Sequence, residues 1–226
     1  MKALTQTSFL FDLDGTLLDS VYDHIAAWNS ALRETGIDIS AWRVHRRIGM
    51  SGGLFTAALI RELGHEIDEA TQKRLSELHA QYYNQRSSEV RALPGAVKLL
   101  EHLTEQNIPW AIATSSHLKT AGPVLAKIGV DPAKHVVITR DLVKYAKPDP
   151  DLFIAAANAL GVKMEDSCVV GDAVWDMLAS KRGHALGVGF LSGGYGTAEL
   201  ERAGAYRIFE DPADMLAHID EVGGRR

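Results

Sequence analysis

Two aspartates at alternate positions, Asp12 and Asp14, close the apolar run Phe9-Leu10-Phe11 and lead into Gly15 and Thr16. Carboxylates this close repel one another, and a bound cation or a reaction is the usual reason to keep them together. Three more polar clusters follow apolar segments: Thr114-Ser115-Ser116, Lys147-Pro148, and Gly171-Asp172 with Asp176 after it. Asp12, Asp14 and Asp172 offer hard oxygen donors, a set that suits Mg²⁺. Thr114 and nearby backbone N–H groups can hold phosphate oxygens, and Lys147 adds a point charge. A carboxylate can attack a phosphoryl group. A second one, turned back beyond a strand end, can protonate a leaving oxygen and later deprotonate water.

Each cluster taken singly has a local explanation. Asp14-Gly15 is a turn signal, Thr114 to Ser116 can cap a helix at 118, and a loop lysine is normally solvated. Asp172 and Asp176 can cap a helix and complement its dipole. What sets these explanations aside is placement. A first strand reads over 8–12, and from Leu93-Pro94-Gly95 onward helices and strands alternate. Helices are expected at 94–105, 118–128, 151–160 and 173–182, with strands at 109–113, 135–138, 168–170 and 185–190. Such alternation predicts an α/β fold, a parallel Rossmann-like sheet with helices on both faces. Ligands collect at the carboxyl ends of parallel strands, and all four clusters fall on that edge.

Between the first strand and the rest lies a stretch with helical texture only. Val21, Ile25, Trp28 and Leu32 recur at spacings of three and four over 20–35, and further helices are expected at 51–63 and 68–86. The expected organisation is a core domain from residues 1–16 and 92–226, with 17–91 inserted as a helical cap. Trp28 and Trp42 are expected in the core of that cap.

Hydrophobic residues make up 46% of the 226, enough for a sizeable core. The net charge of −5 argues against a nucleic-acid surface. Cys168 is the only cysteine, which excludes an internal disulfide, and its apolar neighbours point to packing. No signal peptide and no apolar run of membrane-spanning length is evident. A cytoplasmic protein is therefore expected, acting on a small molecule without nucleic-acid or membrane partners, as a monomer or homodimer.

In combination, Asp-x-Asp-Gly-Thr, a Thr after an apolar strand, Lys-Pro, and Gly-Asp-x-x-x-Asp resemble the haloacid dehalogenase superfamily over nearly the whole chain. The resemblance is to members with a helical cap inserted after the first motif, of the phosphoglycolate phosphatase and β-phosphoglucomutase kind. It implies that Asp12 is a nucleophile forming an aspartyl phosphate. Asp14 is implied as general acid/base, with its main-chain carbonyl on the metal. Thr114 and the Ser115 amide bind the phosphoryl group, Lys147 stabilises it and orients Asp12, and Asp172 completes a Mg²⁺ site with Asp176 close behind. An aspartate at position 14 separates phosphoryl-transfer members from the dehalogenases and the phosphonoacetaldehyde hydrolases, which lack it. A phosphatase acting on a small organic phosphate is implied, with a sugar phosphomutase as the alternative. His24 stands where that mutase carries a hinge histidine. Where the mutase has a cap-loop arginine, this chain has Gly49-Met50-Ser51-Gly52-Gly53. Gly49, Ser51 and Gly52 are candidate substrate contacts, and Arg43, His45, Arg46 and Arg47 stand just before them. A response-regulator receiver also gathers acids, a hydroxyl and a Lys-Pro at one sheet edge. Its phosphorylated aspartate follows a middle strand, however, and it has no helical insertion.

Overall fold

The computed structural model describes residues 7–50, 52–64 and 66–224. The chain makes β1 (Ser8–Phe11) and a short strand β2 (Leu18–Asp19). It then runs through helices α1 (Val21–Glu34), α2 (Ala41–His45), α3 (Gly52–Leu63) and α4 (Glu69–Arg86), and returns through β3 (Arg91–Ala92). Next come α5 (Ala96–Glu105), β4 (Trp110–Ala113), α6 (Leu118–Leu125), β5 (Val137–Ile138), α7 (Asp151–Leu160) and β6 (Ser167–Gly171). The last elements are α8 (Val174–Arg182), β7 (Leu186–Phe190), α9 (Thr197–Ala203), β8 (Ala205–Phe209) and α10 (Pro212–Ala217).

Six strands form one sheet in the order β5-β4-β1-β6-β7-β8, parallel at every pairing. Because side chains alternate along a strand, the sheet has two apolar faces. Phe9, Phe11, Ile112, Cys168 and Val170 pack with Leu99 and Leu103 of α5, Val124 of α6 and Met215 of α10. Leu10, Ala111, Ala113 and Val169 pack with Leu152 and Phe153 of α7 and Ala179 of α8. Burial of both faces is what a parallel sheet requires. Phe11 stands opposite Ile112 on one side and Val170 on the other, so β1, β4 and β6 end level. Asp12, Thr114 and Asp172 each follow within two residues of those ends.

The four helices α1–α4 have a core of their own. Val21, Ile25 and Leu32 of α1 meet Leu75 and Leu78 of α4, with Val44, Phe55 and Leu59 completing it. β2 and β3 join this unit to the sheet as an antiparallel ribbon that pairs Leu18 with Ala92 and Asp19 with Arg91. Trp28 is partly buried against the helical core, but Trp42 is not in it, with 63% of its surface exposed. The reason is geometric. In the five-residue α2, Val44 takes the inward face, and a position two residues earlier points nearly the opposite way. Trp42 lies instead under the Arg43 guanidinium, 4.7 Å from its ring centre. Helices α2, α9 and α10 and strand β8 had no counterpart among the expected elements. No helix among the described residues is long and apolar enough to cross a membrane.

Candidate active site

Lys147 is the centre of the arrangement. It follows the β5 segment in a loop and is fully buried. Its ammonium forms ion pairs with Asp12 and, at 2.8 Å, with Asp176. Burial works against the lysine's charge, but the two carboxylates outweigh it and hold the amine firmly protonated. One carboxylate oxygen from each of Asp12, Asp172 and Asp176 lies within 4.8 Å of the others, and all three residues are buried. Burial raises the Asp12 carboxyl to about 7, with Lys147 opposing and Asp176 and Asp14 reinforcing the rise. Burial, then the charges of Asp176 and Asp12, push Asp172 well above the carboxylate range. Three carboxylates against one ammonium leave negative charge without a partner, and oxygen-only donors fit a hard divalent cation.

Local backbone chemistry explains why the sequence can crowd these groups. Gly15 has φ +86°, and a Cβ there would overlap the Asp172 carboxylate and Val21. Thr16 Oγ1 donates to Asp172 Oδ1 at 2.9 Å. Asp176, in the first turn of α8, accepts from the Ala173 N–H at 3.1 Å, so the helix-cap explanation holds for it alongside its ion pair.

The Asp14 side chain lies apart from the three-carboxylate group. It accepts hydrogen bonds from Ser20 Oγ (2.7 Å) and Ser116 Oγ (2.9 Å), with His24 Nε2 3.1 Å away. Burial alone would raise this carboxyl. His24, by charge and hydrogen bond, together with the two serines outweighs burial and holds it well below the usual range. His24 is itself buried. Its Nδ1 is 3.0 Å from His79 Nε2, and its ring stacks on Tyr83 at 3.8 Å. Burial, then the neighbouring His24, lowers His79 well below an ordinary histidine.

A cavity of about 640 Å³ opens from Asp12, Asp14 and Thr114 toward the helical unit. Ser115, Gly49 and His24 also line it. The Ser115 hydroxyl donates to the Gly49 carbonyl at 3.0 Å, tying the core to the helices. Ser51 lies outside the described residues, and Gly52 begins α3. The basic run before the loop is largely spent on protein partners. Arg43 and Arg47 both pair with Glu62, Arg46 pairs with Glu199, and His45 Nε2 contacts the Gly193 carbonyl at 2.8 Å. Of the four, only Arg47 lines the cavity.

The loop after β7 was invisible in the sequence. Ser192 Oγ donates to the Gly15 carbonyl at 2.6 Å, and Tyr195 donates to the Arg46 carbonyl at 3.0 Å. A side chain on Gly193 would overlap the Asp172 carboxylate. One short segment thus touches the first turn, the acidic cluster and α2 together.

Comparison with known proteins agrees with this geometry. The family model for haloacid dehalogenase-like hydrolases matches residues 7–184. The chain belongs to this family. Hexitol phosphatase A of Escherichia coli is 36% identical over 169 residues, 73% of this chain and 74% of that one. The phosphoglycolate phosphatase of Rhodospirillum rubrum is 29% identical over 91% of this chain and 88% of its own. A hydrolase from Pseudomonas syringae of known structure is 54% identical, with TM-score 0.95, over 96% of this chain and all of that one. As a haloacid dehalogenase-like hydrolase, the chain uses the loop after β7 and the serines at 20 and 116 to support its acidic groups. Sequence reasoning offered Ser20 and Ser116 only as helix caps and assigned no role to the loop. Hydroxyl residues next to turn glycines are too common to single out without coordinates.

Proposed function

We propose that this hydrolase is a Mg²⁺-dependent phosphatase that cleaves small organic phosphate monoesters through an aspartyl phosphate on Asp12. The reading rests foremost on the buried Lys147 ion-paired to Asp12 beside two further buried carboxylates. The names of the relatives, hexitol phosphatase and phosphoglycolate phosphatase, bring sugar-type phosphates and phosphoglycolate forward as substrate classes. The helices of residues 17–91 act as the cap that closes the cavity over the substrate.

Asp12 and Asp172, with Asp176 directly or through water, would hold the metal, and the Asp14 main-chain carbonyl completes the proposed set. Bound there, Mg²⁺ supplies positive charge against the phosphoryl oxygens. Lys147 fixes the orientation of Asp12 and adds a second cation. Thr114 and the Ser115 amide hold the transferring group. An Asp12 oxygen forms the new P–O bond, the ester P–O bond breaks, and the leaving oxygen takes a proton from the Asp14 carboxyl. Water then attacks the phosphoaspartate, Asp14 takes its proton, and inorganic phosphate leaves with Asp12 restored. The three contacts on Asp14 described above favour its ionised, proton-accepting form. Acting as an acid requires it to give up part of that cradle.

The direct test is phosphate release by the purified protein with magnesium across a panel of small phosphates, with glucose 1-phosphate isomerisation followed in parallel. Release without isomerisation supports the phosphatase. Silence on every ester, aryl phosphates included, defeats it. Asp14→Asn should cost far more with an alkyl phosphate than with an aryl phosphate, whose leaving group needs little protonation. Burst kinetics on the aryl ester would reveal slowed dephosphorylation, so the comparison is made on the burst. Gly193→Ala should raise the magnesium concentration for half-maximal activity at least about tenfold, because the loop then displaces the Asp172 carboxylate. An unchanged magnesium titration would mean that the loop does not support the metal site.

A further inference from the structure

We propose that Lys73, Ser76 and Glu77 of α4 select the leaving group and take a polyhydroxylated chain in preference to a short carboxylic acid; this rests on the phosphatase reading above. All three line the cavity. With Ala80, which also lines it, they follow the spacing that puts side chains on one face of a helix. Leu75, Leu78 and Tyr83 of the same helix are buried, as is Ala80.

The cavity is larger than a two-carbon ester needs. Its volume of about 640 Å³ falls in the range that encloses a drug-sized ligand. The two large aromatic side chains along it, Trp28 and Phe55, are already stacked on each other. Trp28 stacks with both Phe55 and His79, each ring centre 4.1 Å from its own. Phe55 in turn is buried. Recognition along α4 therefore falls to polar groups.

Ser76 Oγ donates to the Gln72 carbonyl at 3.2 Å, whereas Lys73 and Glu77 are uncommitted. Lys73 and Glu77 are one turn apart with opposite charges, the spacing at which surface residues pair. Among the described residues, neither forms an ion pair with the other or with any third residue. Elsewhere on α4, Arg74 reaches Glu34 at 2.9 Å and Arg86 reaches Asp23 at 2.8 Å. An ammonium donates and a carboxylate accepts, while the Ser76 hydroxyl, its proton given to Gln72, keeps an acceptor lone pair. This matches a row of hydroxyls, each of which donates and accepts. The opposite charges of Lys73 and Glu77 cancel on this helix face, and the further cations that line the cavity, Arg47, Lys119 and Arg140, lie outside α4. A site built to hydrogen-bond hydroxyls discriminates strongly against ligands that lack them.

The test compares kcat/KM for sorbitol 6-phosphate and for phosphoglycolate in the parent enzyme, Glu77→Ala, Lys73→Met and Glu77→Gln. The parent should favour sorbitol 6-phosphate. Glu77→Ala and Lys73→Met should each lower the ratio of the two specificity constants at least about tenfold, chiefly through KM for the hexitol ester. Glu77→Gln, which keeps an acceptor oxygen in place, should lose less than Glu77→Ala. A parent enzyme that prefers phosphoglycolate, or variants that leave the ratio where it was, would overturn this inference while the phosphatase reading stands. A parent inactive on both esters and on an aryl phosphate would remove the phosphatase reading, and this inference with it.

Discussion

Asp12→Asn is expected to lower phosphate release by at least about 10⁴-fold while the protein stays folded. The amide cannot displace a leaving oxygen from phosphorus at a useful rate, and no other carboxylate shares Asp12's place at the end of the central strand β1. The effect on stability runs the other way. Burial raises the Asp12 carboxyl from 3.8 to about 7. A group whose folded pKa is raised favours folding fully below its unfolded value and loses that contribution as pH climbs through the folded one. Between about pH 4 and pH 7 the advantage drains away, and at neutral pH an ionised Asp12 is a burden on the metal-free fold. Asparagine removes this burden and leaves Lys147 its pair with Asp176. Metal-free thermal unfolding at pH 7 should then occur at or above the parent temperature. Added magnesium should raise the parent's Tm more than the variant's, since the variant has one donor charge fewer. Near-normal turnover in this variant would end the nucleophile assignment.

Lys147→Met should destabilise the protein by about 3–5 kcal/mol, the usual consequence of removing one member of a buried ionic group. Methionine fills most of the space, so the loss is electrostatic. Asp12, Asp172 and Asp176 are left buried without a counter-charge, and they respond by taking up protons. Turnover should fall by about 10²–10³-fold in kcat, as for loss of one preorganised charge at a reacting centre. Urea unfolding with and without magnesium separates the two effects. A divalent cation replaces part of the missing charge and should restore stability in part, while kcat stays low. Arginine at this position should not rescue either property. The site is fully enclosed, and a guanidinium is larger and differently shaped than an ammonium. A metal-free variant as stable in urea as the parent would show that the ion pairs carry no structural weight.

The parts of the fold that were legible in the sequence share one property: their signal is local. Helix α7 begins at Asp151 and ends at Leu160 as expected, because apolar periodicity runs between a Pro-rich start and a glycine stop. Cys168 lies within a buried strand, as its apolar neighbours indicate. The strand-end acids and Lys147 stood out because charged residues rarely interrupt such segments. What was not legible depends on distant partners. Strand β8, Ala205–Phe209, is an edge strand with Tyr206 exposed and Arg207 paired to Glu221, so its pattern is polar. Trp42 looked like core by residue type, yet a helix of five residues has room for one inward position. His79 carries no motif, and only the packing of α4 against α1 brings it to His24. The basic run Arg43 to Arg47 stands beside the candidate contact loop in sequence, but its pairing with Glu62 and Glu199 depends on distant residues.

The ribbon of β2 and β3 has a consequence for how such enzymes diversify. The polypeptide enters the helical segment through Leu18–Asp19 and leaves it through Arg91–Ala92, directly alongside. A tight hairpin turn can bridge two ends so placed. The segment between them is therefore a cassette whose length can change without altering strand order, though Ser20 and His24, which it carries, hold Asp14. Lys73, Ser76 and Glu77 all ride on that cassette. New appetites can thus be acquired by exchange at one pair of neighbouring crossings, provided the contacts of Ser20 and His24 with Asp14 are kept.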